Sequence, residues 1–392
     1  MMTYFENLFE PITIGNLEVK NRIALAPTAM ATCTIEGDLT DQNICHYVAR
    51  AKGEVGWITI EHTIAQNLYS TALPRILCLH DDRQKGEWAD LAEAIHRAGA
   101  RAVVQLSLGV GRQGSNRWDG KELVAPSPIN YTMAEGSTPK QMKGLEGRSS
   151  KTPRALTTEE IEHLVHRFVS SARIVKNAGF DGLEIHGAHG YLLAQFLSPL
   201  SNQRDDKYGG DFHRRMRLPL DVIRKTRDAL GDDFVLGYRI SGNEHTDGGL
   251  TLEDTLEIVP TLVAEGLDFI HLSSGWNGAL RWMFPKREGV ILEEAEAVKK
   301  VSKVPVICPN FHDPETANTA LKGRKIDMVS LSRALIADPK WATKAKEGRV
   351  DEITKCVFCY RCLITFGDGT GTKCSVNPEV GWERFNREYH PI

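Results

Sequence analysis

Eight short apolar runs punctuate the chain: Ile23–Ala26, Trp57–Ile60, Ala102–Leu106, Gly182–Ile185, Phe234–Ile240, Phe269–Leu272, Val304–Ile307 and Met328–Leu331. They show little apolar–polar alternation, the pattern of strands buried on both faces in parallel sheets. Helical periodicity fills the intervals. In Thr157–Ala178, the residues Ile161, Leu164, Val165, Phe168, Ala172 and Val175 fall on one face. Thr157 and Glu160 have capping-box spacing, and Gly179 is placed to stop the helix. Further helices are expected over Trp88–Ala98, Arg215–Leu230, Leu252–Glu265, Glu293–Val301 and Pro314–Leu321. Eight strands alternating with helices predict an α/β fold, a (β/α)8 TIM barrel; an open doubly wound sheet is the alternative. The barrel is expected over residues 1–350 and a short C-terminal extension over 351–392. Residues Ser107–Ala155 are rich in Gly, Ser, Asn and Pro and lack periodicity. They read as a long insertion after the third strand, carrying a small hairpin.

A barrel places its active site at the carboxyl ends of its strands. The residues there are Pro27-Thr28-Ala29, Glu61-His62-Thr63, Gln105, His186 with His189, Arg239, Ser273-Ser274-Gly275, Pro309-Asn310 and Ser332-Arg333, in strand order. The tightest constellation runs from Glu184 through His186 and His189 to Tyr191. Its imidazoles could hydrogen-bond a substrate carbonyl, and its phenol could deliver a proton to the neighbouring carbon. As a metal pair the histidines lack a nearby third ligand. A helix start with incidental polar residues is the plain alternative. Gly109-Val-Gly111-Arg-Gln-Gly114 matches G-x-G-x-x-G, yet it runs into Ser115–Gly120 without helical periodicity. It is therefore expected to be a flexible loop and not a dinucleotide fingerprint.

Composition narrows the class. Of 392 residues, 41% are hydrophobic and 25% charged, with a net charge of −3 and no long Lys/Arg cluster. Those values fit a globular chain and no nucleic-acid partner. No apolar stretch approaches the roughly 20 residues of a membrane span, and the N-terminus lacks a signal-peptide pattern. A cytoplasmic protein without a membrane partner is expected. Four cysteines are scattered at positions 33, 45, 78 and 308. The other four, Cys356-x2-Cys359-x2-Cys362-x11-Cys374, form a tight group that reads as metal binding and not as a disulfide framework. Three cysteines spaced by two with a distant fourth suit a [4Fe–4S] cluster; zinc and free thiols are the alternatives.

The run from His186 through Tyr191 to Pro199, followed by Asn202-Gln-Arg204 and Asp206-Lys-Tyr-Gly-Gly210, resembles the Old Yellow Enzyme superfamily. The resemblance begins at Leu8-Phe-Glu-Pro11 and Asn21-Arg22. It continues through Gln105-Leu106, Gly111-Arg112, Ala178–Gly182, Arg239, Arg333 and Ala337-Asp-Pro339. The terminal cysteines resemble the subgroup of 2,4-dienoyl-CoA reductase, trimethylamine dehydrogenase and the enoate reductases of anaerobes. The resemblance implies bound FMN, with Pro27, Thr28, Ala29 and His62 around it. It implies Gln105 at the flavin pyrimidine edge, Arg239 near flavin N1, and Arg333 with Asn310 and Ser332 at the phosphate. His186 and His189 correspond to the pair that grips a carbonyl or phenolate, and Tyr191 to the proton donor. Cys356, Cys359, Cys362 and Cys374 would hold the [4Fe–4S] cluster.

Several positions depart from the family. Ala29 replaces a Thr or Cys beside the flavin, Asn310 and Phe311 stand where the phosphate loop has glycines, and Ser332 replaces a further Gly. Trp276 is followed by Asn277 and not by the histidine of the dienoyl-CoA reductases, which also lack a pair like His186 and His189. Fused relatives carry a second nucleotide-binding domain, whereas this chain runs 18 residues beyond Cys374. Electrons are therefore expected from NAD(P)H directly, or from a separate electron-donor flavoprotein or another subunit. The expected activity is ene-reduction of a small unsaturated carbonyl compound. An amine dehydrogenase, with Trp276 and Trp282 facing a cation, is a second reading; a non-catalytic electron-transfer subunit is a third. A homo-oligomer is compatible with all three.

Overall fold

The computed structural model describes residues 4–71, 73–115, 117 and 119–390. Eight parallel strands close into a barrel: Ile23–Leu25, Trp57–Ile64, Arg101–Ser107, Gly182–Gly187, Val235–Ser241, Phe269–Ser273, Val306–Pro309 and Met328–Leu331. Closure pairs the eighth strand with the first, Val329 opposite Ile23 and Leu331 opposite Leu25. The open-sheet alternative is thereby excluded. Helices Asp41–Lys52, Lys85–Arg97, Thr158–Asn177, Phe212–Leu230, Leu252–Ala264, Leu292–Val301 and Pro314–Lys322 follow strands one to seven. Arg333–Ala337 and Trp341–Lys346 follow the eighth. Thr157 caps its helix as expected, accepting from the Glu160 amide while Glu160 accepts from the Thr157 amide. Helix Asp41–Lys52 was not expected, because its buried face carries Asn43, His46 and Arg50 among the apolar residues.

Along each strand, alternate residues face the barrel axis. At the amino end these are apolar: Ala24, Trp57, Val103, Val235, Phe269, Ile307 and Met328 form one cluster. An N-terminal hairpin, Ile12–Ile14 with Leu17–Val19, closes this end and adds Ile14 and Val19 to the cluster. Two residues further along, four of these strands carry buried polar groups, Thr59, Gln105, His271 and Ser330, and the fourth strand adds Glu184, two residues after Gly182. His186, Arg239 and Ser273 come two residues later still. The period that fills the bottom of the barrel thus delivers polar side chains to its top.

In the insertion after strand three, Val124–Ala125 and Arg154–Ala155 pair in parallel, so they do not form the expected hairpin. A smaller antiparallel bridge joins Thr132 to Ser149 within it. The stretch expected to be a flexible loop is a buried turn over Gly111–Gln113. Its Arg112 amide donates to Gln195 (3.1 Å), and Gln113 Nε2 donates to the His189 carbonyl (2.9 Å). Asn116 and Trp118 of the following loop lie outside the described residues. The C-terminal extension packs on the barrel rim through Thr372 N–H to the Met30 carbonyl (2.8 Å) and Asn377 Nδ2 to the Ile336 carbonyl (2.9 Å). No helix among the described residues is long and apolar enough to cross a membrane.

Candidate active site

The floor of the site is a buried hydrogen-bond chain across four strands. Gln105 Nε2 donates to Glu184 Oε1 (2.6 Å), and Glu184 Oε2 meets His271 Nδ1 (2.7 Å). His271 Nε2 meets Ser330 Oγ (2.8 Å). Burial alone would raise the Glu184 carboxyl, but His271, Arg239 and Gln105 together hold it below its usual range. An ionised Glu184 accepts the His271 Nδ1 proton, so the other ring nitrogen accepts from Ser330. Gln105 gives one amide hydrogen to Glu184, and its carbonyl oxygen is buried without a protein partner. Arg239, beside the Glu184 charge, has an unpartnered buried Nε. Both atoms lie among the polar groups at the upper part of the barrel and have no partner from the protein among the described residues.

Above this floor, four rings converge. His186 makes edge contacts with His62 (5.2 Å between centroids), His189 (5.2 Å) and Tyr191 (5.0 Å). Tyr191 stacks on His62 at 4.8 Å. The Ala188 amide donates to His186 Nδ1 (3.2 Å), which places the His186 proton on Nε2. Burial, reinforced by the neighbouring His62, His189 and Arg239, lowers His186 well below the ordinary imidazole value. Burial and Arg239 do the same to His189, and burial alone lowers His62 to about 4. Burial raises the Tyr191 phenol to about 12. All four rings are therefore neutral near pH 7. His189 has a left-handed backbone (φ 61°), uncommon for a residue with a β-carbon. Its geometry is over-determined: its amide donates to Ser241 Oγ (3.0 Å), its carbonyl accepts from Gln113, and its Nε2 meets Ser273 Oγ (2.6 Å).

The residues from strands one, seven and eight gather separately. Thr28 Oγ1 donates to Ser332 Oγ (2.7 Å), flanked by buried Pro27 and half-buried Ala29. Arg333 donates to the Pro285 carbonyl (2.6 Å) and reaches Asn310 Oδ1 (3.5 Å), while its Nη1 is buried and unpartnered. Asn310 adopts a left-handed φ of 74°, a conformation asparagine tolerates better than most residues with a β-carbon. The cysteine segment covers this corner: the Arg333 guanidinium lies over Phe358 (5.2 Å) and Tyr360 (5.7 Å). Cys356, Cys359, Cys362 and Cys374 are unbridged and line one small pocket together with Arg333. Among the described residues, no three His, Cys, Asp or Glu side chains close around a point as a single metal ion requires.

Sequence reasoning left several of these groups without a role. Glu184 lay inside the run it singled out, and the inward alternation of the sixth and eighth strands would have found His271 and Ser330. Arg112, Tyr131 and Trp276 form a further cluster beside the histidine turn, with Arg112 over Trp276 (4.9 Å) and over Tyr131 (5.9 Å). No local signal marks them as a unit, because the three come from two different loops and a turn.

A closed parallel barrel with polar side chains gathered at its carboxyl rim defines an α/β protein of the TIM-barrel class. Residues 7–352 match the NADH:flavin oxidoreductase / NADH oxidase family, and the chain belongs to it. It is 39% identical to the NADH oxidase of Thermoanaerobacter brockii over 97% of this chain and 57% of that protein. It is 33% identical to the cinnamate reductase of Clostridium sporogenes over 98% of this chain and 59% of that protein. The chain thus spans a little over half the length of these relatives. Its fold superposes on a 2-naphthoyl-CoA reductase with a TM-score of 0.90 at 29% identity, covering 97% of this chain and 58% of that one. It also superposes on an Old Yellow Enzyme homologue from Zymomonas mobilis with a TM-score of 0.74 at 27% identity, covering 90% and 95%.

Proposed function

We propose that this protein is an FMN-dependent ene-reductase acting on an α,β-unsaturated carbonyl compound, with NAD(P)H or a partner flavoprotein as electron source. The observation that carries the reading is the neutral His186–His189–Tyr191 group, level in register with Arg239, whose Nε is unpartnered, and two residues beyond the Gln105–Glu184 pair, where Gln105 Oε1 is unpartnered. Those orphans fit FMN: a carbonyl oxygen for a ring N–H, a guanidinium for the pyrimidine oxygens, and Arg333 Nη1 for the phosphate. Bound FMN would supply hydride to the β-carbon of the alkene.

The chain's own residues do the rest. His186 Nε2–H donates to the substrate carbonyl oxygen and draws electron density toward it. In the tautomer in which Ser273 donates to His189 Nε2 (2.6 Å), the His189 proton sits on Nδ1 and serves as a second donor. The Tyr191 hydroxyl holds its proton across the working range and transfers it to the α-carbon. We read Cys356, Cys359, Cys362 and Cys374 as thiolate ligands of a [4Fe–4S] cluster. Their shared pocket beside Arg333 supports this, and a cluster several atoms wide does not require the convergence that one ion does. Anaerobic iron and sulfide analysis of wild type and Cys359→Ser checks that assignment.

The amine dehydrogenase reading keeps a support of its own in the 33% identity, over 97% of this chain, to an N,N-dimethylglycine/sarcosine dehydrogenase of Chromohalobacter salexigens. Against it, Trp276 is covered by Arg112, and one face of Trp282 stacks on His245 at 3.8 Å. Tyr191→Phe tests the mechanism. Alkene reduction should fall by about 10²–10⁴-fold, while flavin reduction by NADH, followed by stopped flow, is retained. Unchanged turnover would remove Tyr191 from the reaction.

A further inference from the structure

Two residues of the cysteine segment hold a backbone that side chains with a β-carbon rarely adopt. Phe358 has a φ of 51° and Tyr360 a φ of 61°, both left-handed. Phe358 stands between Cys356 and Cys359, and Tyr360 between Cys359 and Cys362. Both rings lie against the Arg333 guanidinium, Phe358 at 5.2 Å and Tyr360 at 5.7 Å. Phe358 also meets the His312 ring edge-on at 4.7 Å, and the Tyr360 hydroxyl donates to the Phe284 carbonyl (2.8 Å). A cost in the backbone is thus offset by contacts to one cation and to the loops beside it.

Arg333 is buried and has no carboxylate partner among the described residues. Its Nη2 donates to the Pro285 carbonyl and reaches Asn310 Oδ1, while Nη1 is enclosed and unpartnered. Asn310 is itself fixed: its Nδ2 donates to the Arg287 carbonyl (2.9 Å), and its carbonyl accepts from the Gly289 amide (3.1 Å). With Nη2 anchored and two rings against the guanidinium, the direction of Nη1 is set before any anion arrives. The rings that set it belong to the same stretch, 356–362, that carries Cys356, Cys359 and Cys362. Arg333, Tyr360 and all four clustered cysteines line one pocket. A metal group held by those thiolates fixes this backbone through its bonds to sulfur, and so fixes both rings.

We propose that Phe358 and Tyr360 are positioning residues for the guanidinium that receives the flavin phosphate, and that filling the cysteine site tightens flavin binding through them. This rests on the FMN and iron–sulfur readings and adds a coupling between the two sites. Coupling between two ligands is reciprocal, so bound flavin equally favours retention of the metal group. Because the two rings act on Arg333, their effect is confined to the phosphate. FMN gains from it; riboflavin, with the same ring system and no phosphate, does not.

The test measures dissociation constants of FMN and riboflavin, by quenching of flavin fluorescence, for flavin-stripped wild type with iron at the cysteines and after anaerobic removal of the iron by a chelator. The same pair is measured for the iron-loaded double variant Phe358→Gly/Tyr360→Gly. Glycine adopts a left-handed backbone freely, so this variant removes the rings without straining the cysteine loop. Removing the iron, or the two rings, should weaken FMN by about five- to a hundredfold and leave riboflavin unchanged. The chelator should take iron more slowly from FMN-loaded than from flavin-free wild type. FMN affinity indifferent to both iron and rings overturns the proposal. So does an equal weakening of both flavins, which marks a merely structural loop. If the variant does not hold iron, the iron-loaded and iron-free wild type decide between these outcomes. Wild type that binds FMN with no metal at its cysteines also overturns the coupling, whereas wild type that binds neither flavin removes the FMN reading itself.

Discussion

At the level of single residues, burial sets the protonation of the site more than charge does. His186 and His189 are held far below the ordinary imidazole value of about 6.5, so both are neutral donors over the whole assay range. Tyr191 is raised to about 12 and stays protonated over the same range. Lowered imidazole values mean that neither His186 nor His189 gains a proton as pH falls from 8 to 6. A raised phenol value means that the proton donor is not lost as pH rises from 6 to 10. The single-turnover rate of alkene reduction should therefore be flat from pH 6 to about 10, and an inflection near 6.5 would show that one imidazole works as a cation. His62, His186, His189, Tyr191, Gln105 and Arg239 were legible in the sequence because each follows or ends an apolar run, and the structure gathers them. Glu184–His271 was not, since its members lie 87 residues apart and only barrel closure joins them.

Elements were legible where apolar periodicity is clean and illegible where the buried face is polar or the segment short. Helix Thr158–Asn177 begins at the residue its capping box predicts, whereas Asp41–Lys52 hides behind its buried Arg50. The turn over Gly111–Gln113 looked mobile from its glycines, but its hydrogen bonds go to Gln195 and His189, which no local pattern reports. The barrel strands carry a constraint of their own at Gly237. A β-carbon there would stand 2.2 Å from the Phe269 ring, which Trp57 backs with an edge contact at 5.3 Å. The ring cannot retreat without displacing the apolar layer. Gly237→Ala should destabilise the fold by about 1–3 kcal/mol through overpacking, measured by urea denaturation. Because Gly237 is two residues before Arg239, the variant should also lower flavin retention.

Across the whole molecule, the extension beyond residue 350 is joined to the barrel by a buried ion pair, and this makes its docking dependent on pH. Glu383 Oε1 accepts from Arg50 Nη1 (2.7 Å) and lies 3.0 Å from His46 Nδ1, with all three residues buried. Burial alone would raise the Glu383 carboxyl, but the Arg50 charge and the His46 hydrogen bond outweigh it and depress it well below the carboxylate range. A depressed carboxylate contributes its stability above the unfolded value of about 4.3 and loses it as pH falls through the folded value. The extension should accordingly loosen on acidification below about pH 4, while holding firm between pH 5 and 8. Glu383→Gln removes the counter-charge and leaves Arg50 buried, with its Nη2 already unpartnered. Breaking such a pair costs about 3–5 kcal/mol. The same extension brings Phe358 and Tyr360 against Arg333, so its release should uncover the corner proposed to hold the flavin phosphate. In Glu383→Gln, protease cleavage of the extension at pH 7 should speed up, and flavin should be lost on gel filtration in step with it. Its stability should lack the acid-dependent part that wild type shows below pH 5. Cleavage and flavin retention equal to wild type would mean that the apolar contacts of Met30, Ile336 and Val380, with the Thr372 and Asn377 hydrogen bonds, hold the extension without the ion pair.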